Sequence, residues 1–339
     1  MPEQNTTPIS EETAKEAWTK LFFISDILRN TSYSVIELEH INFAQHPIIQ
    51  FFFECPDAAP AMKELIAVSG LSSGALSQAV DGLINAGYLA RSQSGMDSRL
   101  KPVQATEKLK NLRVKPFRHF EKMLDAFRQA SGADPKEMRT AGEVFVRLAE
   151  SRTGGELAEM KRPSDMETPG AVSCVSRKLN KLPVWMLILH FTTNMRMPTL
   201  MYYYGRRGRI SLGKLGILNY LFSLSYRKKA LPTIKELAAR FQCKPGLVLQ
   251  TVNSLRRDGL LELTSSQTDR GSQVKLTRKG HLVQRQSSES YTLFMQRFLG
   301  RLEPEKAGVF MRFLDLMLHF LKTDGKDFLC PGEQPDMFG

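Results

Sequence analysis

Cysteine is scarce in this chain: Cys55, Cys174, Cys243 and Cys330 are the only four in 339 residues, and they stand far apart. None pairs as CxxC, so no disulfide framework or zinc-ligand spacing is present, and reduced thiols in a cytoplasm are expected. Long apolar runs are also missing. The greasiest stretch, 182–191, is followed within a few residues by Arg196 and falls short of the roughly 20 apolar residues that span a bilayer. No membrane partner is expected. The polar, acidic start (1–12) lacks the basic-then-apolar layout of a secretory signal. The histidines (His40, His46, His119, His190, His281 and His319) form no pairs, and GxSxG, HExxH and GxxxxGK[ST] do not occur. The expectation is therefore no enzyme, no metal and no cofactor. With 42% apolar and 24% charged residues the chain is globular, and its length suggests about two domains.

Positive charge is present, and it is uneven. Residues 1–170 hold 20 basic and 23 acidic side chains, a net of −3, whereas 171–339 hold 27 and 12, a net of +15. A basic half joined to a near-neutral one suggests that a polyanion meets mainly the second half.

The chain also repeats itself. Residues 62–91 read MKELIAVSGLSSGALSQAVDGLINAGYLAR and residues 234–263 read IKELAARFQCKPGLVLQTVNSLRRDGLLEL. Aligned without a gap at an offset of 172, ten of thirty positions are identical, among them Glu64/Glu236, Gly74/Gly246, Gln78/Gln250, Val80/Val252, Leu83/Leu255 and Gly87/Gly259. Ordinary composition gives roughly two. One module is present twice.

Spacing predicts the module's form. A short helix over 62–68 (and its counterpart from Ile234) meets a turn, and a second helix starts at Ser72, or at Lys244–Pro245. In that second helix Leu76, Val80 and Leu83 share a stripe, as do Val248, Val252 and Leu255, which turns the opposite face to water. Gly87 and Gly259 stand where a helix ends in a left-handed residue. Short extended runs follow (88–91 with 101–105; 260–263 with 273–276), joined by polar turns that carry Asp97 and Arg99, or Asp269 and Arg270. Helix, turn, helix and hairpin make a winged helix-turn-helix. An arginine at such a hairpin tip suits a narrow, electronegative minor groove.

These residues resemble the MarR family of bacterial and archaeal regulators. The resemblance rests on Leu65, Ser77, Val80, Leu83, Gly87, Leu89, Arg91, Asp97, Arg99 and Thr106 in the first copy. In the second it rests on Ile234, Leu237, Ala238, Val252, Leu255, Gly259, Leu260, Asp269, Leu276, Thr277 and Gly280. Departures are Gly82, Ala105 and Leu109 in the first, and Leu249, Leu263 and the adjacent Asp269–Arg270 in the second. The resemblance implies a DNA-binding regulator whose subunits dimerise through their first and last helices. Flanking segments 11–29, 106–129, 135–150, 182–204, 277–299 and 303–321 read as such helices. The expected fold is mainly α with small β wings: tandem winged helix-turn-helix (MarR-like) modules arranged as an intrachain pseudo-dimer. Its parts are a first module (1–150), a Gly- and Pro-bearing linker (151–180), a second module (181–325) and a tail (326–339). The chain acts alone as a pseudo-dimer, and further dimerisation stays open.

Double-stranded DNA is the expected partner, read at an asymmetric operator because the copies differ. Contacts are expected from Ser72, Ser73, Ser77, Gln78, Arg91, Arg99 and Lys101 in the first module. In the second they are expected from Lys244, Gln250, Asn253, Arg256, Arg257, Arg270 and Lys275. Gln and Asn match adenine edges, and Arg matches guanine or phosphate. Two basic clusters, Arg206, Arg207 and Arg209, then Arg227, Lys228 and Lys229, suit phosphate clamping or simple solvation. Trp185, His190, Met195, Met197, Met201 and the tyrosines at 202–204 crowd one segment. The resemblance allows an aromatic small-molecule effector to be held there, but a Met and aromatic stripe is more often plain helix packing. A tandem winged-helix scaffold for a protein partner is the alternative function, favoured locally by a first reading helix without Lys or Arg. A small-molecule binder whose DNA function has lapsed is a third reading.

Overall fold

The computed structural model describes residues 9–35, 45–69, 73–91, 102–150, 182–192, 212–226, 230–241, 245–264 and 272–329. They are mainly helical, with two small antiparallel sheets. The expected linker, 151–180, lies outside them, as do residues 330–339 of the expected tail. Two compact units emerge, and each draws on both sides of that linker. The first is built from the described parts of 1–37, 111–196 and 288–339, the second from those of 38–110 and 197–287.

Among the described residues the first unit is all-helical. Helix α1 (Glu11–Val35) buries Ala14, Ala17, Trp18, Leu21, Ile24 and Leu28, a spacing of three and four that faces one stripe inward. It runs six residues beyond the expected end at Arg29, because nothing in 30–35 breaks a helix and Thr31 and Ser32 are buried. Most of α5 (Glu107–Ser131) and all of α6 (Pro135–Glu150) belong here too, as do the helical residues 184–192. From the far end of the chain come the later part of α10 (Arg278–Gly300) and α11 (Pro304–Lys322).

Aromatic contacts join the two ends of the chain. Phe145 of α6 packs on Phe310 and Phe313 of α11 at 5.1 and 5.3 Å, and Phe127 of α5 lies 5.6 Å from both Phe313 and Phe320. Trp18 of α1 stacks on Tyr291 of α10 at 4.0 Å. Large rings buried at such offset geometries dominate a core's energy. Lys20 reaches from α1 to Asp315 of α11 and to Glu16. Burial alone would lower its pKa, but hydrogen bonds to these carboxylates and their charge leave it raised. The expected tail begins with a packed 3₁₀ turn (Lys326–Phe328): the Phe328 carbonyl lies 2.8 Å from His119 Nε2 and its ring contacts Phe320.

The second unit holds both copies of the repeat. In the first, α2 (His46–Glu54), α3 (Met62–Ser69) and α4 (Ser73–Asn85) lead into the pair β1 (Leu89–Arg91) and β2 (Val103–Ala105). In the second, α7 (Leu212–Tyr226), α8 (Ile234–Arg240) and α9 (Pro245–Arg257) lead into β3 (Leu261–Thr264) and β4 (Gln273–Leu276). The expected stripes are core: Leu76, Val80 and Leu83 are buried in one copy, and Val248, Val252 and Leu255 in the other. Sequence periodicity does not reveal α2, whose residues are all buried except Gln50, so no wet face marks a helical period.

A candidate nucleic-acid interface

One set of hydrogen bonds appears in both copies and fixes what each presents to solvent. Gly87 (φ +77°) and Gly259 (φ +75°) end the second helices in the left-handed region, where a side chain is strained. Just beyond each, a backbone N–H returns to the helix, Tyr88 to Leu83 at 2.9 Å and Leu260 to Leu255 at 3.0 Å. The hairpin is then tied down from its far end. Thr106 Oγ1 donates to the Gly87 carbonyl and Thr277 Oγ1 to the Gly259 carbonyl, each at 2.7 Å. Lys108 Nζ donates to the Ala86 carbonyl at 2.7 Å and Lys279 Nζ to the Asp258 carbonyl at 2.9 Å, cations at the negative end of a helix dipole. The base of each hairpin is pinned likewise, Val103 N–H to Pro60 O at 3.1 Å and Val274 N–H to Pro232 O at 2.8 Å. Glu64 and Glu236 accept from the backbone N–H of Ala61 and Thr233 at 2.8 and 2.7 Å, and Thr233 completes a capping box. The Thr-x-Lys run after each hairpin is thus a fastening that holds helix and hairpin at one angle.

Gly82, a departure within α4, has a cause in α2. A Cβ there would stand 2.5 Å from the Gln45 amide nitrogen, which donates to the Ala79 carbonyl at 3.2 Å. The helix lacks a side chain so that a buried glutamine can cross it.

The faces left wet differ. On α9, Gln250, Arg256 and Arg257 are exposed, and half-buried Asn253 accepts from Arg256 through its Oδ1 at 3.1 Å. Beside them Asp258 is drawn away to α7, where its carboxylate meets Lys214 Nζ at 2.7 Å. Burial, and then the charge of Arg257, lowers the Lys214 pKa; burial raises that of Asp258 against the pull of Lys279. The acid that follows the two arginines in sequence is therefore paired with Lys214, and Arg256 and Arg257 stand exposed at the end of α9. Lys275, expected on DNA, pairs across the strands with Glu262 at 2.9 Å.

On α4, Ser73, Gln78, Asp81 and Asn85 are exposed. Asp81 gathers its neighbours: Arg91 donates to it at 2.6 Å and Ser77 more distantly at 3.4 Å. Arg91, expected on DNA, is thus half-neutralised on its own surface. Nothing in the local sequence pattern ties Arg91 to Asp81; the ion pair follows from a β1 position facing the third turn of α4 within one short module. Ser72, Arg99, Lys101, Lys244 and Arg270 lie outside the described residues, together with both basic clusters and Asp97 and Asp269. Of the aromatic stripe, Trp185 is buried against Phe120 and Phe117 at 4.4 and 5.1 Å and His190 is buried, while residues 193–211 lie outside.

Among the described residues no cluster of His, Cys, Asp or Glu could hold a metal, and no helix is long and apolar enough to cross a membrane. Cys55 is buried at the end of α2. No protein-family model matches the chain, and no curated protein matches it either.

Proposed function

We propose that the chain is a sequence-specific DNA-binding transcriptional regulator, with two MarR-like winged-helix heads carried on one polypeptide as a pseudo-dimer. The carrying observation is the outer face of α9. It sets Gln250, Arg256 and Arg257 in solvent beside a hairpin fastened at a fixed angle, in the half of the chain with a net charge of +15. An exposed amide and two guanidiniums on a helix are the groups that read base edges and hold phosphates. The operator is asymmetric, because α4 carries Asp81, Ile84 and Asn85 where α9 carries Asn253, Arg256 and Arg257. Helices α1, α5, α6, α10 and α11 would serve as the platform that two subunits otherwise build between them.

Selection from random duplex DNA, followed by binding across a salt series, tests this. The expected result is a non-palindromic site and an affinity that falls as salt rises. Affinity indifferent to salt, or a palindromic site, overturns the proposal.

A second reading has support at the first head. An exposed Asp81 with Arg91 folded onto it is poorly suited to a polyanion and fits a protein partner better. If that reading holds for the whole chain, Arg256→Ala and Arg257→Ala leave partner binding intact and no duplex is bound.

A further inference from the structure

Two leucines stand on the outside of α9. Leu247 is 37% and Leu249 41% exposed, two of only five large apolar side chains so exposed among the described residues. Single exposed apolar residues need no explanation. They flank Gln250, Leu247 on one side of it and Leu249 on the other, and they have no part in the core, which Val248, Val252 and Leu255 already fill from their own stripe. At the matching repeat positions of α4 the residues are Ala75 and Ser77, so the leucines belong to one head alone.

We infer that Leu247 and Leu249 read thymine methyl groups, so that the second head selects a half-site of A·T pairs. This rests on the DNA reading above. In a helix, residues three or four apart are surface neighbours, which puts Leu247 beside Gln250 and Leu249 beside Asn253. A glutamine amide matches the N6 and N7 edge of adenine in the major groove, and the paired thymine turns its C5-methyl into the same groove. Gln250 on the adenine with a leucine on the methyl therefore reads both members of one pair. Asn253 contributes less, since its Oδ1 is held by Arg256. The first head, with Ala75, Ser77 and Asp81, has no such apolar reach, and the chain binds its asymmetric site in one orientation.

The test uses the full chain and the duplex obtained by selection, with each thymine replaced in turn by deoxyuridine, which removes the methyl and keeps the pairing. Wild type is expected to lose about fourfold in affinity per methyl, the worth of burying one methyl-sized group, at thymines of one half-site only. Leu247→Ala and Leu249→Ala should bind the thymine and uracil duplexes alike, with the salt dependence of wild type retained. Equal affinity of wild type for both duplexes overturns the inference and leaves the DNA reading standing. So does a penalty spread over both half-sites, or one that persists in the alanine variants. If no duplex is bound in a salt-dependent way, the DNA reading itself falls.

Discussion

Removing Arg256 and Arg257 together by alanine substitution bears most directly on the DNA reading. Both side chains are exposed in the last turn of α9, and the first repeat has Ile84 and Asn85 in their place. Each cation that neutralises a phosphate adds about 0.9 to the slope of log affinity against log salt, so the double variant should lose about 1.8. Between about 50 and 200 mM salt, wild type then loses about twelvefold more affinity than the variant. At about 0.15 M salt the same two contacts amount to roughly thirtyfold in affinity. Fluorescence anisotropy with one labelled duplex, titrated with the full chain at four or more salt concentrations, gives both quantities. Arg128→Ala serves as the control, because that arginine sits on the platform and pairs with Asp125 at 2.9 Å. A double-variant slope within about 0.3 of wild type refutes the placing of α9 on the DNA backbone. An equal loss in the control reduces the effect to net charge alone.

The parts of this fold that are legible in the sequence are those a short window encodes. Gly87 and Gly259 announce left-handed helix ends because nothing but glycine adopts that backbone cheaply. Leu76, Val80, Leu83 and their counterparts announce an inward stripe because each helix has one wet side, and both hairpins follow from runs of extended residues around polar turns. What stays hidden depends on partners distant in sequence or on an absence of pattern. Helix α2 is buried at every position but Gln50 and so shows no period. Gly82 reads as a flaw in a helix until Gln45, 37 positions earlier, is seen to need the space. Arg91 and Lys275 read as contacts for DNA, yet Asp81 and Glu262 pair with them, through a helix-to-strand contact and a cross-strand register that composition does not encode. The charge imbalance points to the second half of the chain. Only the geometry shows that Asp258 turns toward Lys214 and leaves Arg256 and Arg257 without an acid in the adjoining position.

Three further perturbations test separate links of the argument. Asp81→Asn removes the carboxylate that holds Arg91, and DNA affinity should rise with a salt slope steeper by about 0.9. An unchanged slope in the same titration means the first head does not touch DNA. Alanine at two helical glycines should act with opposite sign. At Gly280 its Cβ would run into the Leu260 carbonyl, backbone that cannot step aside, and a loss of about 1–3 kcal/mol is expected. At Gly308 it meets nothing within 4 Å, and a gain of about 0.5–1 kcal/mol is expected, both read from urea midpoints. Acid should weaken the second unit through His46, whose burial lowers its pKa from 6.5 to about 4. Between those values the unfolded chain binds a proton that the folded one refuses, so stability falls as pH drops from 6.5 and rises as pH returns. At about 1.4 kcal/mol per pH unit the full gap amounts to about 3 kcal/mol. His46→Phe has no such proton to gain, and its urea midpoint should fall less steeply from pH 7 to 4. Parallel midpoints for variant and wild type over that range would mean that the imidazole is hydrated in the folded chain, and that α2 is not sealed from water at its first turn.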